Sequence, residues 1–449
     1  MPKVEESTSS PIPLLDGHVH LYPQSHVDAG VFPWQNHESA KINVQHSFTE
    51  YAADASTRTS ESKSDPEVKY DHRGLIFVEV GRQNGEQSGY DQGVSEFAYL
   101  CEALRNAESG KAGEGYEPSD AKLLRGIMAL APAPHGSSAM EEHTIKLESV
   151  PHFDPAYLKG FRYNLQDEPA GAALSKGFID AMKWMGSKGL RFEINVNTHG
   201  AGIWQLQEAR EMIIRAHEGV EDAKKTRFII DHMAKPDLTI WPSEEIETHS
   251  HFLAWQGEMM RLAENPYVYI KLSALLTETS AEIHTLGGRE GAKRCVEPWV
   301  RSAINLFGVN RVVFGSDWPV VKLAPEEMRG WMEGEDTEWS AWVKLVLEVL
   351  RDIGLSQEDI EFLPYSQYRT LQPDSLLSPP TNILDHHHGA LPIIALERDL
   401  SLRLKPRLPL LHIEPSLPVH INPSRLKKFT YIGKNQAATY PLIGANIAR

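Results

Sequence analysis

Eight short runs of β-forming residues recur along the chain, separated by longer stretches with helical spacing. This alternation is typical of a parallel sheet in which each connection between strands contains a helix. Most of the runs are continuously apolar, as expected for strands that are covered on both faces. The predicted strands are Ile12 to His18, Leu75 to Val80, Leu124 to Leu130, Leu158 to Tyr163, Leu190 to Val196, Arg227 to Ile230, Val268 to Leu272 and Arg311 to Phe314.

The number of strands and the chain length favour an α/β fold of the (β/α)8, or TIM-barrel, type. The 449 residues exceed the roughly 250 that such a barrel typically takes, so extra segments are expected. The segment Trp204 to Glu218 repeats apolar residues at helical spacing and predicts one of the connecting helices. An open doubly wound sheet is the alternative, because periodicity alone does not distinguish the two arrangements.

Three regions are predicted along the chain. We expect a flexible N-terminus over residues 1–11, the barrel over 12–377 and a proline-rich, poorly ordered tail over 378–449. Nine prolines interrupt the tail and its charge turns basic, which disfavours helices and central strands. Its His386-His387-His388 run is interpreted as solvated rather than metal-binding, because no second group of ligands lies nearby in the sequence.

Composition and charge exclude several classes of protein. A formal net charge of −16 argues against a nucleic-acid partner, because phosphate binding depends on clustered Lys and Arg. The two cysteines, Cys101 and Cys295, provide no disulfide framework, so a reducing compartment and a cytoplasmic location are expected. Neither a secretory signal nor an apolar run of about 18 residues is found, and we expect no membrane insertion.

A His-x-His pair is the first candidate for chemistry. His18 and His20 lie two residues apart at the end of the first predicted strand, where alternate side chains point to the same side. The C-terminal mouth of a barrel is where such proteins place their active sites, and paired imidazoles suit a divalent metal. Two histidines at this spacing also occur by chance, so the pair alone does not establish a site.

Asp317 ends the eighth predicted strand in the segment RVVFGSDWP. Taken alone, Asp317 fits an Asx turn or a helix N-cap slightly better than a catalytic role. In a closed barrel the eighth strand neighbours the first, so Asp317 would reach the same mouth as the histidine pair. We therefore predict that it belongs to the site.

Three further side chains end or follow predicted strands. His232 follows the sixth strand in FIIDHMAKPDL, His199 follows the fifth in FEINVNTHG, and Glu79 closes the second. Each histidine alone is commonly a buried, hydrogen-bonded residue, but their joint position at strand ends favours a metal site. Glu79 is interpreted as a further ligand or as a partner that orients an imidazole, with a surface position as the alternative.

Five segments together resemble a known family. In chain order they are HVHLYP, GFRYN, DHMAKPDL, VYIKLSA and FGSDWP. The series resembles the amidohydrolase-related barrel hydrolases, and within them the fungal L-rhamnono-gamma-lactonase and L-fuconolactonase group, from about Pro13 to Asp359. The resemblance implies a distorted (β/α)8 barrel, hydrolysis of sugar-acid lactones in deoxysugar catabolism, and usually one divalent metal ion such as zinc.

The resemblance also assigns residues. It places the family's metal-binding pair on His18 and His20, its strand-six histidine on His232, its strand-eight aspartate on Asp317 and its substrate-contacting arginine on Arg162.

The chain departs from the family pattern at three places. Either Asn197 or His199 holds the position of the family's histidine after strand five. No lysine ends strand four, so one metal at most is expected. The segment EFLPYSQYRTLQ replaces the family's closing helix.

These residues define a hypothetical mechanism. A divalent cation held by His18, His20 and one or two of His199, His232 and Glu79 would polarise a lactone carbonyl. Asp317 would take a proton from the attacking water and return it to the leaving ring oxygen.

Three other side chains are candidates for binding the small-molecule substrate. Arg162 would orient it, Trp34 would pack on its ring or serve only in loop packing, and Lys235 would add a cation or cap a turn.

Three alternatives remain open. A metal-free version would leave the carbonyl to the histidines and Arg162. A metal-dependent, non-oxidative decarboxylase of a small aromatic acid would use the same scaffold. A catalytically impaired barrel would only bind a ligand or partner. The oligomeric state is not predicted.

Overall fold

Eight parallel strands pair in strict chain order, each with the next. The computed structural model describes residues 11–36, 41–55, 70–82, 87–332 and 336–362, so the predicted tail and nearly all of the predicted N-terminal segment lie outside the described residues. The strands are β1 (Ile12–Val19), β2 (Tyr70–Val78), β3 (Leu124–Leu130), β4 (Leu158–Asn164), β5 (Arg191–Asn195), β6 (Arg227–Ile230), β7 (Val268–Leu272) and β8 (Val312–Phe314).

Helices fill the connections between the strands. The amphipathic segment predicted from Trp204 is a helix that ends at His217. In chain order the α-helices are α1 (Gln24–Asp28), α2 (Phe48–Ala55), α3 (Gln87–Glu108), α4 (Pro118–Ala121), α5 (Gly136–Glu148), α6 (Lys176–Ser187), α7 (Trp204–His217), α8 (Ser250–Ala263), α9 (Ala281–Phe307), α10 (Glu338–Asp352) and α11 (Gln357–Phe362). Within the described ranges, none of these helices combines the length and the apolar character needed to cross a membrane.

The sheet closes between its first and last strands. Beyond the end of β8, the Asp317 amide donates to the His18 carbonyl at 2.9 Å, and the His20 amide donates to the Trp318 carbonyl at 2.7 Å. The Asp16 carboxylate adds a side-chain link, because it accepts from the Ser316 amide at 2.8 Å. The arrangement is a (β/α)8 barrel, and the open doubly wound alternative is wrong because its strand order would not run sequentially around the sheet.

The barrel has an outer and an inner core. Along β2, Leu75 and Phe77 belong to the large cluster that includes the helices, whereas Ile76 and Val78 belong to a separate small cluster. Because successive strand residues point to opposite faces, the small cluster lies inside the barrel. It consists of Leu15, Ile76, Val78, Met128 and Val313.

Strands β4, β5 and β7 instead place charged groups inside. Arg162, Glu193 and Lys271 are buried, and each stands between two residues of the outer cluster. By the same alternation these three side chains point inward. The barrel interior is therefore apolar along β1 to β3 and β8, and charged along β4, β5 and β7.

Candidate active site

The histidine pair lies at the C-terminal end of β1 and is buried. The Nε2 atoms of His18 and His20 are 3.3 Å apart. His20 Nδ1 lies 2.9 Å from the Val78 carbonyl. A carbonyl only accepts hydrogen bonds, so the proton of a neutral His20 ring is on Nδ1 and its Nε2 presents a lone pair.

Asp317 lies against both imidazoles. Its Oδ1 is 3.4 Å from His18 Nε2 and 3.2 Å from His20 Nε2. The residue has a positive φ of 59°, a conformation that side-chain-bearing residues rarely adopt and that is often found at functional sites. The predicted meeting of the first and eighth strands thus brings an imidazole pair and a carboxylate into one buried group.

These three atoms form a triangle with sides of 3.3, 3.4 and 3.2 Å. Ligands bound tetrahedrally to zinc at roughly 2.0–2.1 Å lie about 3.3 Å from one another. Asp317 Oδ1 is also buried without a hydrogen-bond donor among the described residues. The donor types, their spacing and the unsatisfied oxygen all fit a divalent cation, and we call this set the His18–His20–Asp317 triangle.

The pKa shifts favour the same conclusion. Burial, together with the nearby Lys271 ammonium, holds the pKa of His18 well below its usual range. Burial raises the pKa of Asp317, but the neighbouring His232 and His20 outweigh it, and the net shift is downward. At neutral pH His18 is then neutral and Asp317 ionised, which are the forms that bind a metal.

His232 reaches the mouth from an unusual turn after β6. Four consecutive residues, His232 to Lys235, have positive φ values. The turn is held by the Trp255 indole, which donates to the Met233 carbonyl at 2.8 Å, and by the Thr198 amide, which donates to the Ala234 carbonyl at 2.9 Å. It places His232 Nε2 4.0 Å from Asp317 Oδ1.

A charged network inside the barrel lies next to the triangle and was not predicted. Lys271 Nζ lies 3.1 Å from His18 Nδ1 and 3.4 Å from Asp231 Oδ1, and it contacts Glu193. Burial and the nearby Asp231 raise the pKa of Glu193 to about 8. The signals available in the sequence were weak. Lys271 is a single charged residue in an otherwise uncharged strand, Glu193 lies in a strand with two other polar residues, and Asp231 directly precedes His232.

Glu79 and Arg162 belong to this network. Glu79 is fully buried, and its Oε1 lies 3.2 Å from Arg162 Nη1, so a surface position for Glu79 is wrong. Arg162 Nε lies 3.3 Å from Asp231 Oδ2. Among the described residues, the groups with metal-ligand spacing are His18 with Asp231 and His232, and His18 with His20 and Asp317, so Glu79 is in neither.

The network carries excess negative charge. Four acids and two bases make up the network, so acids outnumber bases even when Glu193 is protonated, and a bound cation would offset the excess. The six groups are Glu79, Glu193, Asp231, Asp317, Arg162 and Lys271.

The remaining predicted residues lie around this centre. His199 is partly exposed and its Nε2 faces Asp237 at 3.5 Å, so the structure does not bring it into either ligand group. Asn197 accepts from the Gly200 amide in the turn after β5 and is likewise in neither group. Lys235 pairs loosely with Glu278 at 3.8 Å.

Trp34 packs within its own loop. Its ring stacks on Phe32 with centroids 4.9 Å apart, and its indole donates to the Val80 carbonyl at 3.1 Å, just beyond the end of β2. The contacts support the loop-packing interpretation without testing a role in substrate binding.

A parallel barrel that gathers histidines and an aspartate at its C-terminal mouth is the architecture of TIM-barrel hydrolases. A family model described as amidohydrolase matches residues 132–355, and the chain is an enzyme of the amidohydrolase family, as the sequence motifs predicted. It is 24% identical to L-rhamnono-gamma-lactonase of Scheffersomyces stipitis over 68% of this chain and 85% of that protein.

One further relative is also named as a lactonase, and one solved structure shares the fold. L-fucono-1,5-lactonase of Burkholderia ambifaria is 36% identical over 26% of this chain and 33% of that protein. Among solved structures, an amidohydrolase of Burkholderia multivorans with bound zinc superposes with a TM-score of 0.54 at 20% identity, covering 80% of this chain and 98% of that one. At that identity the superposition supports the fold alone.

Proposed function

We propose that the protein hydrolyses a sugar-acid lactone, such as L-rhamnono-1,4-lactone or a related deoxysugar lactone. The observation that carries the proposal is the buried His18–His20–Asp317 triangle at the mouth of the barrel. The choice of a lactone over other hydrolase substrates is supported by the relatives named as rhamnono- and fucono-lactonases.

The triangle would hold one divalent cation, with His232 as the neighbouring fourth side chain. When bound, such a cation polarises a carbonyl oxygen and lowers the pKa of water. Of the predicted additional ligands, the structure favours His232 over His199 and Glu79, because neither of those two lies in a ligand group.

Asp317 is the proposed base and acid. Its lowered pKa keeps the carboxylate ionised at neutral pH, so it can accept a proton from water. The water oxygen bonds to the lactone carbonyl carbon, and the bond from that carbon to the ring oxygen then breaks. Asp317 returns the proton to the departing ring oxygen, so the products are one hydroxy acid and the unchanged enzyme.

Three side chains are proposed to bind the substrate. The contacts of Arg162 with Glu79 and Asp231 hold its guanidinium while leaving other N–H groups for a sugar hydroxyl. Lys235 would add positive charge where the ring-opened carboxylate forms, because it lies close enough to lower the pKa of Asp317. Trp34 would contact the sugar ring from the β2 side of the mouth.

The test is acid release from L-rhamnono- and L-fucono-lactones, measured by pH-stat against spontaneous hydrolysis. Asp317→Asn should lower kcat/KM by about 100-fold or more, because it removes the proton acceptor. The matched control is Asp237→Asn. Among the described residues the Asp237 carboxylate accepts turn hydrogen bonds from Thr239 and pairs with His199, and asparagine can accept the same bonds.

The outcomes separate the alternatives. No lactone turnover above background, or full activity in Asp317→Asn, would refute the lactonase proposal. Carbon dioxide release from hydroxybenzoates would identify a decarboxylase. Metal analysis of active protein tests the cation, and lactone turnover by metal-free protein would favour the version in which the histidines and Arg162 polarise the carbonyl.

A further inference from the structure

Lys271 stands on the opposite side of His18 from the triangle. It lies within β7, its side chain is completely buried, and its Nζ is within hydrogen-bonding distance of His18 Nδ1 at 3.1 Å. Glu193 on β5 and Asp231 directly after β6 hold the ammonium in place. A fixed cation therefore faces the ring nitrogen that does not belong to the triangle.

This contact determines which nitrogen of His18 carries the proton. An ammonium group only donates hydrogen bonds, so His18 Nδ1 accepts from Lys271 and the ring proton is on Nε2. The neighbouring histidine has the complementary form, because its Nδ1 donates to the Val78 carbonyl and its Nε2 is an acceptor 3.3 Å from His18 Nε2. The three hydrogen bonds then run in one direction, from Lys271 through His18 and His20 to Val78.

A bound cation needs the other form of His18. Coordination uses the Nε2 lone pair, so the ring proton must move to Nδ1 and the hydrogen bond from Lys271 is lost. Among the described residues, Asp231 Oδ1 faces Nδ1 as an acceptor, but it lies 3.5 Å away outside hydrogen-bond geometry. Cation binding at the triangle therefore replaces the 3.1 Å hydrogen bond from Lys271 to His18 with a longer contact from His18 to Asp231.

We infer that Lys271 weakens divalent-cation binding at the His18–His20–Asp317 triangle by holding His18 in the form protonated on Nε2. The inference rests on the proposed cation site, and it makes Lys271 a positioning residue that acts through His18. The inference is tested by metal affinity and by the position of a ring proton. It would therefore remain valid even if the protein hydrolysed no lactone.

The experiment compares zinc affinities of the full-length, metal-stripped proteins by competition with a chromogenic chelator. Lys271→Met should bind zinc about 10- to 100-fold more tightly than wild type, which corresponds to the loss of one hydrogen bond from a charged donor. Lys271→Arg keeps the donor and should stay near the wild-type affinity. A Lys271→Met variant that folds and binds zinc equally or more weakly overturns the inference.

Removing the ammonium leaves two buried carboxylates without their cation, which threatens folding. The double variant Lys271→Met, Glu193→Gln removes the lysine together with one of the two acids that it contacts and should show the same tightening. Circular dichroism checks that each variant is folded.

A measurement on wild-type protein needs no folded lysine variant. Nitrogen NMR of ¹⁵N-histidine-labelled, metal-free protein should show His18 protonated on Nε2, with the signal assigned from its loss in His18→Asn. Protonation on Nδ1 would refute the inference.

Discussion

Replacing Gly315 with alanine tests whether the close approach of β1 and β8 builds the site. A Cβ atom at residue 315 would lie 2.8 Å from His18 Cβ, 3.2 Å from the His18 amide nitrogen and 3.3 Å from Ser273 Cβ. Carbon atoms pack at about 3.5–4.0 Å. The segment that carries Asp317 must therefore move away from His18 by about 1 Å.

The displacement should affect the site more than the fold. Overpacking of this size lowers the free energy of unfolding by about 1–3 kcal/mol, which urea unfolding measures. A shift of about 1 Å between catalytic groups can lower kcat/KM by about 100-fold. The distances from Asp317 to His18 and to His20 would lengthen, so zinc affinity should fall as well.

Gly257→Ala in α8 is the matched control. The new Cβ would meet only Arg261 Nη1, at an ordinary 3.8 Å. The exchange should stabilise the helix by about 1 kcal/mol and leave zinc affinity and turnover unchanged. If Gly315→Ala also retained wild-type zinc affinity and turnover, the triangle would not depend on this close approach.

Three further predictions follow from buried polar groups. Asp16→Ala should lower the free energy of unfolding by about 2–6 kcal/mol, because it deprives the Ser316 amide and the Trp339 indole of their acceptor at about 1–3 kcal/mol each. Urea unfolding measures this, and a loss under 1 kcal/mol would contradict it. Burial lowers the pKa values of His72 and His143 to about 4, below the unfolded value of about 6.5. Their contribution is therefore complete above pH 6.5 and is lost as the pH falls towards 4. Each should account for about 1–2 kcal/mol of the stability lost between pH 7 and pH 5, and a flat urea midpoint over that range would count against it. Finally, removal of divalent metal with a chelator should lower the melting temperature and re-addition should restore it, because a ligand bound only by the folded state stabilises it; no change would argue against a bound cation.

The strands and the triangle could be predicted because both depend on local patterns. The predicted bounds of β3, β6 and β7 match the structure, since continuous apolar runs between turn residues define them. His18, His20 and Asp317 were found because they directly follow or end such runs. The start of β2 was missed by five residues, because its first four residues, Tyr70 to Arg73, are not buried and lack an apolar signal.

The charged interior could not be predicted from one sequence. Glu193 and Lys271 lie on β5 and β7, which are separated by β6, and only the closed barrel brings the two side chains together in its interior. His199 shows the opposite error, because it was predicted to be a ligand and lies outside both ligand groups. The chain leaves β5 at Asn195 and turns, so proximity in sequence to the strand end did not bring this histidine to the triangle.

The turn after β6 shows how the fold supports a site that is locally unfavourable. Side-chain-bearing residues with positive φ cost about 1–3 kcal/mol each when they are forced into sparsely populated conformations, and four occur in succession from His232. The conformation persists because Thr198 and Trp255 bind three of the carbonyls of this turn through their side chains. The result is that His232 and Lys235 are both presented at the mouth, which a regular loop of four residues would not achieve. The small apolar cluster inside the barrel, Leu15, Ile76, Val78, Met128 and Val313, contributes to stability without such strain.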